Sequence, residues 1–208
     1  MKELDRTGDE KKPMIVFAGR SNVGKSSAIR VLTGKKVRVG KKPGSTRWEM
    51  MIDFGPITIV DIPGFGYMAG QSKTKIEETK TTIVQRLEYW RNKLIIAVLI
   101  IDLSLFRELY EKWSNRGEIP IDVEFYSFLS EISPNVVVVA NKIDKIKKRA
   151  LQNEVDFLQT KLEEVSSGKK PIIILTSAQK REGFSDLVSI IDNLLMKQGM
   201  DRPRWAIT

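Results

Sequence analysis

Residues 19–26 read Gly19-Arg20-Ser21-Asn22-Val23-Gly24-Lys25-Ser26, and the apolar run Met14-Ile15-Val16-Phe17-Ala18 leads straight into them. The pattern G-x-x-x-x-G-K-[ST] after a strand and ahead of a helix marks a phosphate-binding loop. Such a loop turns successive backbone N–H groups toward one point, where the following helix N-terminus also favours an anion. Gly19 and Gly24 let the backbone take conformations that a side chain would block. Lys25 supplies a point charge for the β and γ phosphates, and the Ser26 hydroxyl is a ligand for Mg²⁺. The candidate phosphate contacts run through the whole turn: Gly19, Arg20, Ser21, Asn22, Val23, Gly24, Lys25, Ser26 and Ser27.

Downstream, three short motifs each follow an apolar β-rich run. Asp61-Ile62-Pro63-Gly64 ends the run Ile57 to Asp61. A carboxylate there can hold Mg²⁺ opposite Ser26, and the Gly64 N–H can sense a γ-phosphate. Asn141-Lys142-Ile143-Asp144 follows Val136 to Ala140. Asp144 can accept two hydrogen bonds from guanine, through N1–H and the 2-amino group, which adenine cannot offer. A site built on such bonds rejects the wrong base by about 10⁴–10⁵, so the nucleotide is GTP or GDP. Thr176-Ser177-Ala178 follows the last β run, and its N–H groups suit guanine O6. Between the first helix and the next strand lies Pro43-Gly44-Ser45-Thr46. Thr46, in preference to Ser45, is positioned to complete a Mg²⁺ shell when a γ-phosphate is present and to release it afterwards. Lys25, Thr46 and Gly64 are therefore the candidate catalytic groups. The metal ligands are Ser26, Thr46 and Asp61.

The rest of the chain alternates between the two helical and extended periods. Residues 14–18, 48–54, 57–61, 94–103, 136–140 and 172–176 read as strands, with a hairpin turn at Gly55-Pro56. Residues 25–33, 72–92, 121–132, 148–166 and 185–197 read as helices. Continuous apolar runs such as Leu94 to Ile101 suit parallel strands covered on both faces. The expected fold is α/β: a P-loop NTPase with a Ras-like G domain. Its sheet is six-stranded and mostly parallel, with one antiparallel strand and helices on both faces. A mobile charged tail is expected over 1–12, the G domain over 13–198 and a basic tail over 199–208. Residues 106–121, which contain Trp113, read as a surface loop.

Composition narrows the chemistry. The 208 residues contain no cysteine and no histidine. Thiolate metal sites, disulfides and imidazole bases are excluded, and any metal must be held by oxygen, which favours Mg²⁺. The longest apolar run has eight residues, against about twenty for a membrane span. With a charged N-terminus and no apolar leader, the expected location is the cytoplasm. The formal charge is +9. Its excess is uneven: Lys35, Lys36, Arg38, Lys41, Lys42 and Arg47 form one cluster, Lys142, Lys145, Lys147, Lys148 and Arg149 another, and Arg202 and Arg204 stand near the end. That pattern points to a phosphate-rich partner, RNA in first place.

These motifs resemble those of the EngB family of translation-factor-type small GTPases. The resemblance rests on the loop Gly19 to Ser26, the switch Pro43 to Thr46 and the run Asp61 to Tyr67 with its Gly64-Phe65-Gly66-Tyr67 continuation, and it covers roughly residues 14 to 197. It implies GTP hydrolysis with Mg²⁺, a role in assembling the large ribosomal subunit and a requirement in normal cell division and septation. It also implies that Asn22 is a candidate ligand for K⁺. The stretch 106–121 is longer than the family pattern. Phe65 occupies the position where Ras-like enzymes carry a water-orienting glutamine, so slow intrinsic turnover is expected. A monomer is expected. The alternative reading is a GTP-dependent binding scaffold whose hydrolysis is incidental.

Overall fold

The computed structural model describes residues 12–35, 50–64, 73–166 and 168–207. Its elements run β1 (Met14–Gly19), α1 (Lys25–Thr33), β2 (Met50–Phe54), β3 (Ile57–Asp61), α2 (Lys73–Tyr89), β4 (Leu94–Asp102), α3 (Leu103–Ser114), α4 (Ile121–Ile132), β5 (Val136–Asn141), α5 (Lys148–Glu163), β6 (Ile172–Leu175) and α6 (Phe184–Lys197). They build one six-stranded sheet in the order β2-β3-β1-β4-β5-β6. Only β2 runs antiparallel, paired with β3 through the turn at Gly55-Pro56. The other neighbours pair in parallel. This is the expected fold class.

The apolar runs become central strands because both of their faces are covered. All nine residues of β4 are buried. Ala97, Leu99 and Ile101 face one core, with Ile83 and Leu87 of α2, Phe106 of α3, Leu129 of α4 and Leu158 of α5. Ile96, Val98 and Ile100 face the other, with Ile29 and Leu32 of α1 and Leu187 and Ile191 of α6. Strand alternation sends successive side chains to opposite faces, so one run serves two cores. The consequence for function is positional: five parallel strands end on one edge, where ligands of such sheets bind.

Two expectations need correction. Residues 106–114, expected within a surface loop over 106–121, belong to the helix α3. Asp102 caps it, accepting from the Ser104 N–H at 3.2 Å, which satisfies one of the orphan donors of a first turn. Phe106 is buried, and its ring meets Tyr110 and Phe157 at 6.0 Å each. Arg107 ties the helix to α5 through two 3.0 Å bonds to the Glu154 carboxylate. The spacing Leu103, Phe106, Tyr110 carried this helical signal. Trp113 lies in the last turn of α3, half-buried, with the Arg116 guanidinium 5.5 Å from its ring.

The basic C-terminal segment is not a free tail. Trp205 packs at a tilt against Phe54 of β2, ring centres 5.2 Å apart, and donates its indole N–H to Asp192 of α6 at 2.8 Å. The Ala206 N–H donates to the Leu32 carbonyl at 2.8 Å. An indole offers large apolar area and one donor, and both are used here.

Candidate functional site

The ends of β1, β3, β4 and β5 converge on the glycine-rich turn. Gly19 closes β1 at φ 151, and a Cβ built there would lie 2.4 Å from the Ile100 carbonyl oxygen of β4. Gly24 precedes α1 at φ 100, and its Cβ would lie 2.3 Å from Asn141 Nδ2. Only glycine permits these two approaches. Asn22 also adopts a left-handed conformation, φ 67, which asparagine tolerates better than most residues. Gly64 closes the far side: its Cβ would sit 2.8 Å from the Ser21 N and Oγ. The Asp61-to-Gly64 turn therefore rests directly against the loop.

At the base of the turn, Lys25 Nζ lies 2.5 Å from Asp61 Oδ1, and Ser26 Oγ donates to Asp61 Oδ2 at 3.3 Å. The two side chains of the ion pair are only about a tenth exposed, 10% and 9%. One carboxylate and one hydroxyl at the start of a helix form the small oxygen set that Mg²⁺ takes when phosphates supply its other ligands. Among the described residues no group of three or more carboxylates could hold an ion alone. Such a donor set fits a nucleotide-borne Mg²⁺ better than a protein-caged metal.

The second half of the site comes from β5 and the loop after β6. Asn141 is 1% exposed and clamps three segments. Its Nδ2 donates to the Val23 carbonyl at 2.8 Å, while its Oδ1 accepts from the Ala178 N–H at 3.0 Å and the Thr176 hydroxyl at 3.2 Å. Its oxygen and one of its two N–H donors thus hold protein groups, and it ties the glycine-rich loop to the loop after β6. Lys142, at φ 66, sends its ammonium to the Asn22 carbonyl and to Asp102 Oδ2, each at 2.6 Å. Ile143 and Asp144 fall in a 3₁₀ turn, Ile143–Lys145. The Ser177 hydroxyl donates to Asp144 Oδ1 at 2.5 Å and accepts from the Lys180 N–H at 3.2 Å. Among the described residues only Oδ1 of Asp144 is engaged, so an acceptor is braced on one oxygen and left with capacity on the other.

Two carboxylates here were not singled out from sequence. Asp102 ends β4, caps α3 and receives Lys142. Its signal was a lone acid closing an apolar strand at the ligand-binding edge. Asp122 lies in the first turn of α4, 3.5 Å from Arg20 Nη1. Burial raises the Asp122 carboxyl to about 6, with Arg20 pulling it down and Asp102 pushing it further up. The Arg20 guanidinium is therefore engaged by α4. Pro43, Gly44, Ser45, Thr46, Arg47, Phe65, Gly66 and Tyr67 lie outside the described residues.

A glycine-rich loop locked by an asparagine to an N-K-x-D strand end, on this sheet order, defines the chain as a P-loop GTPase. Residues 14–142 match the family described as 50S ribosome-binding GTPase. The chain is 51% identical over 149 residues to a probable GTP-binding protein EngB of Pyrococcus abyssi, covering 72% of this chain and 70% of that one. It is 43% identical over 183 residues to the corresponding protein of Pyrococcus horikoshii, covering 88% and 82%. A crystal structure of a probable GTP-binding protein engB superposes with a TM-score of 0.79 at 41% identity, over 88% of this chain and 99% of that one. Era, in complex with MgGDPNP and nucleotides 1506–1542 of 16S ribosomal RNA, superposes at 0.60 with 25% identity, over 88% of this chain and 56% of that one. The chain belongs to the EngB family of GTP-binding proteins.

Proposed function

We propose that this protein hydrolyses GTP to GDP and phosphate with Mg²⁺, slowly by itself, and that the cycle serves as a switch in assembly of the large ribosomal subunit. The observation that carries the nucleotide half is the Asn141 clamp. It sets the phosphate loop and Asp144 at a fixed separation, as a single ligand with a phosphate end and a purine end requires. In this reading Asp144, braced by Ser177, takes the guanine N1–H and 2-amino group, and the 176–178 loop meets O6. Asp61, Ser26 and Thr46 would hold the ion, which neutralises charge on the phosphates. With nucleotide and ion bound, Lys25 would pair with the phosphates in place of Asp61, whose carboxylate would serve the ion. Asn22 is the proposed ligand for K⁺, and equal turnover in KCl and NaCl at one ionic strength would end that part.

The ribosomal half is supported by the family's description and by the +9 charge. Era's complex with ribosomal RNA shows that a protein of this fold joins such a partner. The further reading, a requirement in cell division and septation, rests on the EngB resemblance. No helix among the described residues is long and apolar enough to cross a membrane; a cytoplasmic location and a monomeric state are parts of the same proposal. Co-sedimentation with large ribosomal subunits under GTP analogue, GDP and no nucleotide tests the switch. Binding that depends on the γ-phosphate is expected, and binding indifferent to nucleotide would demote the protein to a scaffold.

A further inference from the structure

A second concave site lies at the other end of the sheet. Lys35, Asp53, Phe54, Gly55, Pro56, Arg202 and Arg204 line a hollow of about 350 Å³. It sits where α1 ends and the β2–β3 turn begins, whereas the nucleotide loops gather where β1 and β3 end. The strand β3 spans the five residues between the two ends, roughly 16 Å at 3.3 Å per residue. A ligand in the hollow therefore leaves the nucleotide loops free.

The hollow is cationic in a particular way. Its one acid, Asp53, is neutralised by Lys12 at 2.7 Å, and Asp201 does not line it. Lys35 donates to the Asp53 carbonyl at 2.7 Å and stands 5.9 Å over the Phe54 ring, which fixes its ammonium at the rim. Arg204 is exposed and pairs with no acid among the described residues. Among the described residues the Arg202 guanidinium donates only to the Met196 sulfur, at 2.9 Å, a weak acceptor that satisfies little of its donor capacity. Both arginines belong to the segment pinned by Trp205 and Ala206. Holding two guanidinium forks on a docked segment lowers the ordering cost of binding, and that fork matches phosphate oxygens in pairs. Among the described residues, the exposed large apolar side chains do not line the hollow, so it lacks the wedge that a lipid surface would need.

We propose that this hollow binds the phosphodiester backbone of RNA, with Arg202, Arg204 and Lys35 as phosphate contacts and Trp205 as the pin that presents the two arginines. The inference rests on the reading of a ribosomal RNA partner and names the surface that meets it. The test measures binding of the full chain to large-subunit ribosomal RNA across a salt series, with anionic phospholipid vesicles and inorganic phosphate as parallel probes. The paired variant Arg202→Glu/Arg204→Glu should weaken RNA binding at least about tenfold and flatten the slope of log affinity against log salt by about two. Its GTP affinity and denaturant midpoint should stay at the wild-type values. Trp205→Ala keeps every charge and should still weaken RNA binding, with Lys35→Gln as an independent variant that leaves the C-terminal segment alone. If wild-type protein binds the RNA and the paired variant matches its affinity and slope, the hollow is not the contact, while the ribosomal reading stands. If wild-type protein binds GTP but no RNA at low salt, that reading fails and takes this inference with it. Tighter binding to vesicles than to RNA, or phosphate saturating the hollow without RNA competing, would also overturn it.

Discussion

Arg20 of the glycine-rich loop and Asp122 of α4 lie 3.5 Å apart, with the Asp122 side chain 7% exposed. Asp122 Oδ1 has no hydrogen-bond partner among the described residues. Two positions about a hundred residues apart thus share one partly dry ion pair, and a helix outside the nucleotide motifs holds the first variable position of the loop. Glu124, in the same turn of α4, receives Lys80 of α2 at 2.6 Å. The start of α4 therefore touches both the phosphate loop and the helix that follows the Asp61-to-Gly64 turn.

The raised carboxyl of Asp122 makes stability depend on pH in a defined direction. Its value in the fold, about 6, lies above the ordinary 3.8, so between those values the folded protein holds a proton that the unfolded chain has lost. The contribution is full below about pH 4, declines as pH rises toward 6 and is constant above it. A shift of this size corresponds to about 3 kcal/mol. Asp122→Asn should remove that decline, seen as the difference between wild-type and variant urea midpoints measured from pH 4 to 8. Parallel curves for the two proteins would refute the assignment.

Asn141→Ala should be among the costliest single changes at the site. It strips the partner from the Val23 carbonyl and the Ala178 N–H in a buried position. Unsatisfied buried groups cost about 1–3 kcal/mol each, so a loss of about 2–4 kcal/mol is expected by chemical denaturation, with nucleotide affinity falling alongside it.

Asp144→Asn exchanges an acceptor for a donor at the proposed purine edge. Calorimetry should show GTP weakened by about 10²-fold or more, since hydrogen bonds to charged groups contribute about 1.5–3 kcal/mol each, while xanthosine triphosphate becomes the better ligand. Ser177→Ala, which removes only the 2.5 Å brace, should weaken GTP modestly without changing base preference.

Lys25→Ala should weaken GTP and xanthosine triphosphate alike, by about 10-fold or more. It also leaves the Asp61 carboxylate, 9% exposed, without its ammonium. A thermal melt should therefore show lower stability without ligand, in contrast to Asp144→Asn, whose brace on Ser177 stays available.

Strands and loops were legible wherever one short stretch carried the cause. Gly19, Gly24 and Gly64 stand where a Cβ cannot, and that requirement is written in the motif itself. The apolar runs of β4 and β5 read as doubly covered strands because every position is apolar. The helix α3 was missed because its cap, Asp102, is itself the last residue of β4, so strand and helix signals abut with no turn residue between them. The protein contacts of Asn141 were not legible, because the Val23 carbonyl and the Thr176 and Ala178 donors come from two remote loops that only the folded sheet brings to its amide.

Local order in the chain decided the class of fold, the phosphate loop and the preference for guanine, because backbone conformation and hydrophobic period depend on neighbours a few positions away. Tertiary structure alone decided that Asn141 would reach Val23 across 118 positions, that Arg20 would meet Asp122, and that Trp205 would carry two arginines to the β2–β3 turn. Those contacts depend on which remote groups the sheet brings within about 3 Å of each other, and no local pattern encodes that distance.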